Sequence, residues 1–160
     1  MRKIKQQAIS PNSAEFHEQR FHLEEYPFYW VVNVHARYTQ LLEKELKKFS
    51  LDISKFRIMT LTWKYQSASM SQLAEFSVLK LPTVTKIVNR LREDGLLDTQ
   101  PCSSDGRVTI VRLTPQGLEL TEKANLQASK IFSKSFKGIK PAQVNKMNIT
   151  LSMVLENLSD

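Results

Sequence analysis

Residues 70–117 read MSQLAEFSVLKLPTVTKIVNRLREDGLLDTQPCSSDGRVTIVRLTPQG, and their order decides the architecture of the chain. Ser69 is a suitable N-cap, and Gln72 follows three residues later as in a capping box. A short helix is therefore expected over Met70–Phe76, burying Leu73 and Phe76. Pro82 opens a second helix that runs to Asp94, and Gly95 ends it as the residue beyond the cap. Val84, Ile87, Val88 and Leu91 stand at i, i+3, i+4 and i+7, which is one face of a helix. Leu96–Gln100 and Val108–Leu113 are short and rich enough in β-branched residues to be strands. The turn-formers Pro101 to Gly106 between them make a hairpin. Thr114 then caps a helix that begins at Pro115.

Outward from this stretch the pattern is helical. Pro27 suits a first helical turn, and Val31, Val34, Tyr38, Leu41, Leu42 and Leu46 recur at three- and four-residue steps through Phe28–Phe49. Ser50 to Asp52 interrupts. A helix over Ile53–Tyr65 follows, with Phe56, Met59, Leu61 and Trp63 as its apolar surface. The helix from Pro115 continues to about Phe136, with Leu120, Ala124, Ala128, Ile131 and Phe132 on one side. After Gly138, Pro141 starts a last helix whose stripe is Val144, Met147, Leu151, Leu155 and Leu158. Residues 1–20 lack a clear period and read as an irregular arm. The expected fold is mainly α with a small β-hairpin wing. It divides into an arm and first dimerisation helix (1–49), a winged helix-turn-helix lobe (50–114) and C-terminal dimerisation helices (115–160).

A chain of 160 residues can bury a core without disulfides or metals, and Cys102 is its single cysteine. Met1–Ser10 lacks the apolar core of a signal peptide, and the longest apolar run, Phe28–Val32, is far too short to span a bilayer. A soluble, cytoplasmic protein is expected. The net charge of +7 suits a polyanionic partner, although a basic protein without one has the same composition. The placement of the charges discriminates. With the apolar stripe inward, the helix from Pro82 presents Thr83, Thr85, Lys86, Asn89 and Arg90 outward. A helix fits the major groove of B-DNA, where Lys and Arg bond guanine, Asn bonds adenine, and Thr meets a hydrogen-bonding edge or a thymine methyl. The alternative is an ordinary solvated face. In the hairpin, Arg107 follows a glycine turn and can enter a narrow minor groove. Asp105 either holds Arg107 or Arg90 in one rotamer by an ion pair, or serves only as a turn-former.

Met70-Ser-Gln-Leu-Ala-Glu75, Pro82-Thr-Val-Thr-Lys-Ile-Val-Asn-Arg-Leu91, Asp94-Gly-Leu-Leu97, Asp105-Gly-Arg107 and Leu113-Thr-Pro-Gln-Gly117 together resemble the winged helix-turn-helix core of the MarR family. The likeness extends over about Pro27–Leu158. It implies a homodimer of six-helix, one-wing protomers that binds pseudo-palindromic double-stranded operator DNA. By motif position it implies recognition-helix contacts at Thr83, Thr85, Lys86, Asn89 and Arg90, and a wing contact at Arg107 supported by Asp105. Three positions depart from the family pattern. Val78 stands where a turn glycine is usual, Lys80 where a small polar residue is usual, and Thr99 where an arginine is frequent.

The resemblance also implies control by a small aromatic or phenolic ligand held between the dimer helices and the winged lobe. Trp30, His35, Arg37, Tyr38, Arg57 and Trp63 lie in the segments concerned. Aromatic rings there can stack on a ligand and an arginine can pair with a carboxylate, but each is equally a core or surface residue. Oxidation at Cys102 is a second route to a switch. No cofactor or metal is expected, because His17, His22 and His35 lack the i, i+4 spacing of ligands on one helix and no cysteine pair exists. Glycine-rich phosphate loops and nucleophile elbows are absent, so an enzyme is not expected. A non-specific architectural DNA-binding protein is the remaining alternative.

Overall fold

A computed structural model describes residues Leu23–Ser159. The arm of residues 1–20, which includes His17, and also His22 lie outside them. Among the described residues six α-helices and three strands follow one another: α1 (Pro27–Leu46), α2 (Ile53–Tyr65), β1 (Ala68–Ser69), α3 (Met70–Ser77), α4 (Leu81–Glu93), β2 (Leu97–Pro101), β3 (Thr109–Leu113), α5 (Pro115–Ser135) and α6 (Pro141–Asn157). The architecture is mostly helical with a small antiparallel sheet. Two compact units meet at Gln40/Leu41, within α1. No described helix is long and apolar enough to cross a membrane.

Local chemistry accounts for most boundaries. α1 stops at Leu46 rather than Phe49, because Lys47–Phe49 tighten into a 3-10 turn and Ser50 adopts a left-handed conformation. The Asp52 carboxylate then accepts the Lys55 N–H at 2.7 Å and starts α2. Ser69 and Gln72 form the expected reciprocal capping box, at 3.2 and 2.9 Å. At the end of α3, Val78 sits at φ 56° with 87% of its surface exposed. This left-handed turn keeps its geometry without glycine, and the β-branched side chain avoids a clash with packed neighbours by facing out. Lys80 precedes α4 and its side chain makes no capping bond.

The core of the second unit lies between α2, α3, α4, the sheet and the first half of α5. Leu46, Ile58, Met59, Leu73, Val84, Val88, Leu91, Leu97 and Val111 are sealed from solvent. Three expectations need correction. Ile87 is only half-buried, so the inner face of α4 is narrower than its four apolar positions imply. Phe76 is 40% exposed and stacks on Tyr65, with ring centroids 4.8 Å apart, instead of entering the core. The face that α3 buries is that of Leu73 and Ser77, one turn apart, and Phe76 lies to the side of it. The sheet also has a third strand: Ala68 and Ser69 pair with Val111 and Ile110, giving the order β1-β3-β2. Two residues carry no periodic signal, and only the neighbouring β3 makes them a strand. No residue of α6 is buried in the described chain.

The wing is hinged on one close junction. Gly95 takes φ 72° and ends α4. Thr114 donates its hydroxyl to the Gly95 carbonyl at 2.7 Å and accepts the Gly117 N–H at 3.0 Å, so one residue pins the entry to β2 and caps α5. A Cβ built on Gly117 would lie 1.9 Å from the Leu96 carbonyl oxygen, which only glycine tolerates. Gly117→Ala is expected to lower unfolding free energy by about 1–3 kcal/mol or more. The control Gly106→Ala meets nothing within 4 Å and is expected to leave stability nearly unchanged. Chemical denaturation of both variants checks this.

Candidate nucleic-acid interface

α4 is oriented by what it hides. Because Val84, Val88 and Leu91 have no solvent-accessible surface, Thr83, Thr85, Lys86 and Arg90 face solvent and Asn89 is half-buried. The Thr85 hydroxyl donates to the Leu81 carbonyl at 3.0 Å, so its oxygen remains an acceptor. α4 therefore presents a polar face with an exposed cation, Lys86, near its middle and another, Arg90, one turn further on in its last turn. No acidic residue lies in the first turn to cancel them.

The wing presents a third cation. β2 and β3 pair from Leu97↔Leu113 to Pro101↔Thr109, and the Cys102 N–H donates to the Val108 carbonyl at 2.7 Å at the mouth of the loop. At the tip, one Asp105 carboxylate oxygen accepts both the Arg107 backbone N–H at 3.0 Å and its Nε at 3.3 Å. Of the two partners considered for Asp105, it holds Arg107. The Arg107 side chain is 93% exposed, so this pair contributes little to stability. Its effect is to narrow the directions the guanidinium takes.

Two further arginines belong to this surface. Arg92 lies seven residues beyond Thr85 and three beyond Asn89, and so on the same side of α4. Its Nη1 donates to the Thr99 hydroxyl of β2 at 3.3 Å. Arg112, on β3, faces the Gln100 side-chain amide, whose oxygen, once turned toward it, accepts from both terminal nitrogens at 2.9 and 3.2 Å. The spacing that selects Thr85 and Asn89 also selects Arg92. For Arg112, strand alternation gives only that it is exposed.

The aromatic and basic residues expected to hold a ligand are distributed over both units. In the first, the Trp30 indole donates to the Glu24 carbonyl at 2.7 Å, Arg37 bonds the Gln40 side chain at 3.2 Å, His35 is exposed, and burial raises the Tyr38 phenol above its ordinary pKa. In the second, Trp63 is exposed, and half-buried Arg57 donates to the Ser77 carbonyl at 3.0 Å. Arg57 thus already has a structural role at the C-terminus of α3. Among the described residues no cluster of His, Cys, Asp or Glu is arranged to hold a metal.

Cys102 sits at the base of the wing loop, half-buried, with Sγ 3.2 Å from the Ser104 hydroxyl. Hydrogen bonds from the Ser104 hydroxyl, then from the Ser104 and Asp105 backbone, hold the thiol below its ordinary pKa by stabilising the thiolate. Its alkylation by iodoacetamide is expected to reach half-maximal rate at a lower pH than a free thiol does. Ser104→Ala should move that midpoint upward. Coincident pH profiles of the wild type and variant would remove the hydroxyl as the cause.

The sequence and fold match known proteins. The pattern described as MarR family matches residues 51–109, from the start of α2 into the wing. The HTH-type transcriptional repressor IacR of Pseudomonas putida is 44% identical over 138 residues, covering 86% of this chain and 83% of that protein. A crystal structure of a MarR-family transcriptional regulator from Silicibacter pomeroyi superimposes with a TM-score of 0.77 at 25% identity, covering 85% of this chain and 92% of the other. CouR from Rhodococcus jostii RHA1, solved bound to p-coumaroyl-CoA, shares the fold with a TM-score of 0.78 at 21% identity, over 83% and 94% of the two chains. An extended relative of high identity, the family pattern across the helix-turn-helix and wing, and the common fold together establish that the chain belongs to the MarR family of transcriptional regulators.

Proposed function

We propose that the protein is a homodimeric repressor that binds pseudo-palindromic operator DNA and is released by a small aromatic carboxylate or phenol. The observation that carries the DNA-binding part is the pairing of α4 with the wing. A helix that seals Val84, Val88 and Leu91 offers Thr83, Thr85, Lys86, Asn89 and Arg90, and the wing adds an exposed Arg107 held by Asp105. In this reading α4 lies in a major groove, with Lys86 and Arg90 bonding guanine edges and Asn89 adenine. Arg107 enters the adjacent minor groove, where narrow A·T-rich sequence concentrates negative potential.

Dimerisation is supported by apolar surface. Met147, Leu151 and Leu155 of α6 and Leu158 at its C-cap are all exposed, as are Leu126 and Phe132 of α5. Apolar surface on this scale is characteristic of an interface, and a two-fold pair of identical chains is the commonest way to cover it. Two recognition helices related by a two-fold axis then require half-sites separated by whole helical turns. The repressor assignment rests on likeness to the P. putida repressor, and the aromatic ligand on the residues Trp30, His35, Arg37, Tyr38, Arg57 and Trp63 together with the p-coumaroyl-CoA held by CouR.

Binding to the DNA upstream of its own gene is expected to exceed binding to random DNA by at least ~10³ in a competition gel shift. Equal affinity would indicate charge-driven architectural binding instead. Arg90→Ala should cost about 1–3 kcal/mol and relax sequence preference, and Arg107→Ala should weaken binding most on A·T-rich flanks. Unchanged binding in both variants would remove these residues from the interface. Benzoate, salicylate and hydroxycinnamate analogues should raise the melting temperature and release operator DNA. If none of them does either, this ligand class is wrong.

A further inference from the structure

Between α4 and the stem of the wing lies an open groove of about 340 Å³. Its walls carry Thr85, Asn89 and Arg92 from α4, and Thr99, Gln100 and Thr109 from the two wing strands. The lining contains no carboxylate. Arg92 is its cation, and it is held by a neutral hydroxyl, that of Thr99, rather than by an acid. Among the described residues no carboxylate lies within ion-pairing distance of Arg92, which leaves most of its N–H donors and its full charge to whatever enters. An arginine fork beside threonine hydroxyls and side-chain amides is the donor set that recognises a phosphate.

Geometry supplies the occupant. In B-DNA the major and minor grooves are separated by a sugar–phosphate backbone. A protein with a helix in one groove and a hairpin in the next must straddle that backbone, and this groove is the corner between the two. We propose that Arg92, oriented by Thr99, seats a backbone phosphodiester of the bound DNA between the major-groove helix and the minor-groove wing. The inference rests on the DNA-binding reading above. Arg92 is a positioning residue here: phosphate contacts set register and orientation, while base contacts carry sequence preference. It therefore differs in kind from Arg90, two residues before it.

The test is a fluorescence-anisotropy titration of operator and random duplexes across a range of salt concentrations, with wild type, Arg92→Ala, Arg92→Lys and Thr99→Val. Arg92→Ala should weaken both duplexes alike, by about tenfold at low salt. It should also reduce the slope of log affinity against log salt by about 0.9 per protomer. Arg92→Lys should restore the slope while recovering only part of the affinity, because it keeps the charge and loses the fork. Thr99→Val should leave the slope intact with a smaller loss of affinity. The Arg92 bond is at the surface, so melting temperatures should not move.

An unchanged slope in Arg92→Ala, with normal wild-type binding, would overturn the inference. So would a loss confined to operator DNA, which would make Arg92 a reader of bases. Inorganic phosphate, titrated without DNA, separates a free anion from the duplex. If Arg92→Ala abolishes phosphate binding but spares DNA binding, the groove serves a free anion and the inference is overturned. If the wild type binds neither duplex, the DNA-binding reading itself fails and takes this inference with it.

Discussion

The structure depends on the sealing of Val84, Val88 and Leu91 against α2, α3 and the sheet. Each buried aliphatic side chain of this kind stabilises by roughly 1.5–3 kcal/mol. Three on one stripe fix the rotation of α4 about its axis, because turning the helix by one residue would place Thr85, Asn89 and Arg92 in the core. The direction in which Lys86 and Arg90 point is thus a consequence of apolar burial. No polar contact is needed to aim them, so they remain available to a partner.

The second constraint is the junction of Gly95, Leu96, Thr114 and Gly117. A helix ends, a strand begins and another helix starts within one small region. The close approach of Gly117 to the Leu96 carbonyl and the two-way hydrogen bonding of Thr114 tie these events together. The wing stem is consequently set against α4 by backbone contacts, with its tip beyond the packed core. A rigid base and an exposed tip suit an element that must enter a groove of defined width.

Charge is handled differently at three arginines of the same surface. Arg107 is partnered by a carboxylate that limits its direction, Arg92 by a hydroxyl that leaves its charge uncancelled, and Arg112 by an amide. Neutral partners orient a guanidinium without lowering its attraction for phosphate, whereas a carboxylate competes with it. The departure from the family pattern at Thr99 gains a physical sense here. Where relatives frequently place an arginine on the strand, this chain has a short hydroxyl that receives an arginine from the helix.

Much of this was legible in the residues themselves. The capping box at Ser69 and Gln72, the glycine stop at Gly95, the hairpin turn and the α4 stripe are local signals. They depend on neighbours three or four residues away, and the structure has them at or within a residue or two of the expected positions. The exposed face of α4 follows from the same periodicity. What no local signal carried was the strand at Ala68–Ser69, the exposure of Phe76, the partial burial of Ile87 and the contact of Arg92 with Thr99. Each depends on an element distant in sequence or on how much core volume remains once larger side chains have filled it. The sequence by itself determined which helices and turns form and which way α4 faces, because those are short-range properties of the chain. Only the tertiary structure decided which cations meet a carboxylate and which meet a hydroxyl, because that depends on how the wing strands pack against the helix.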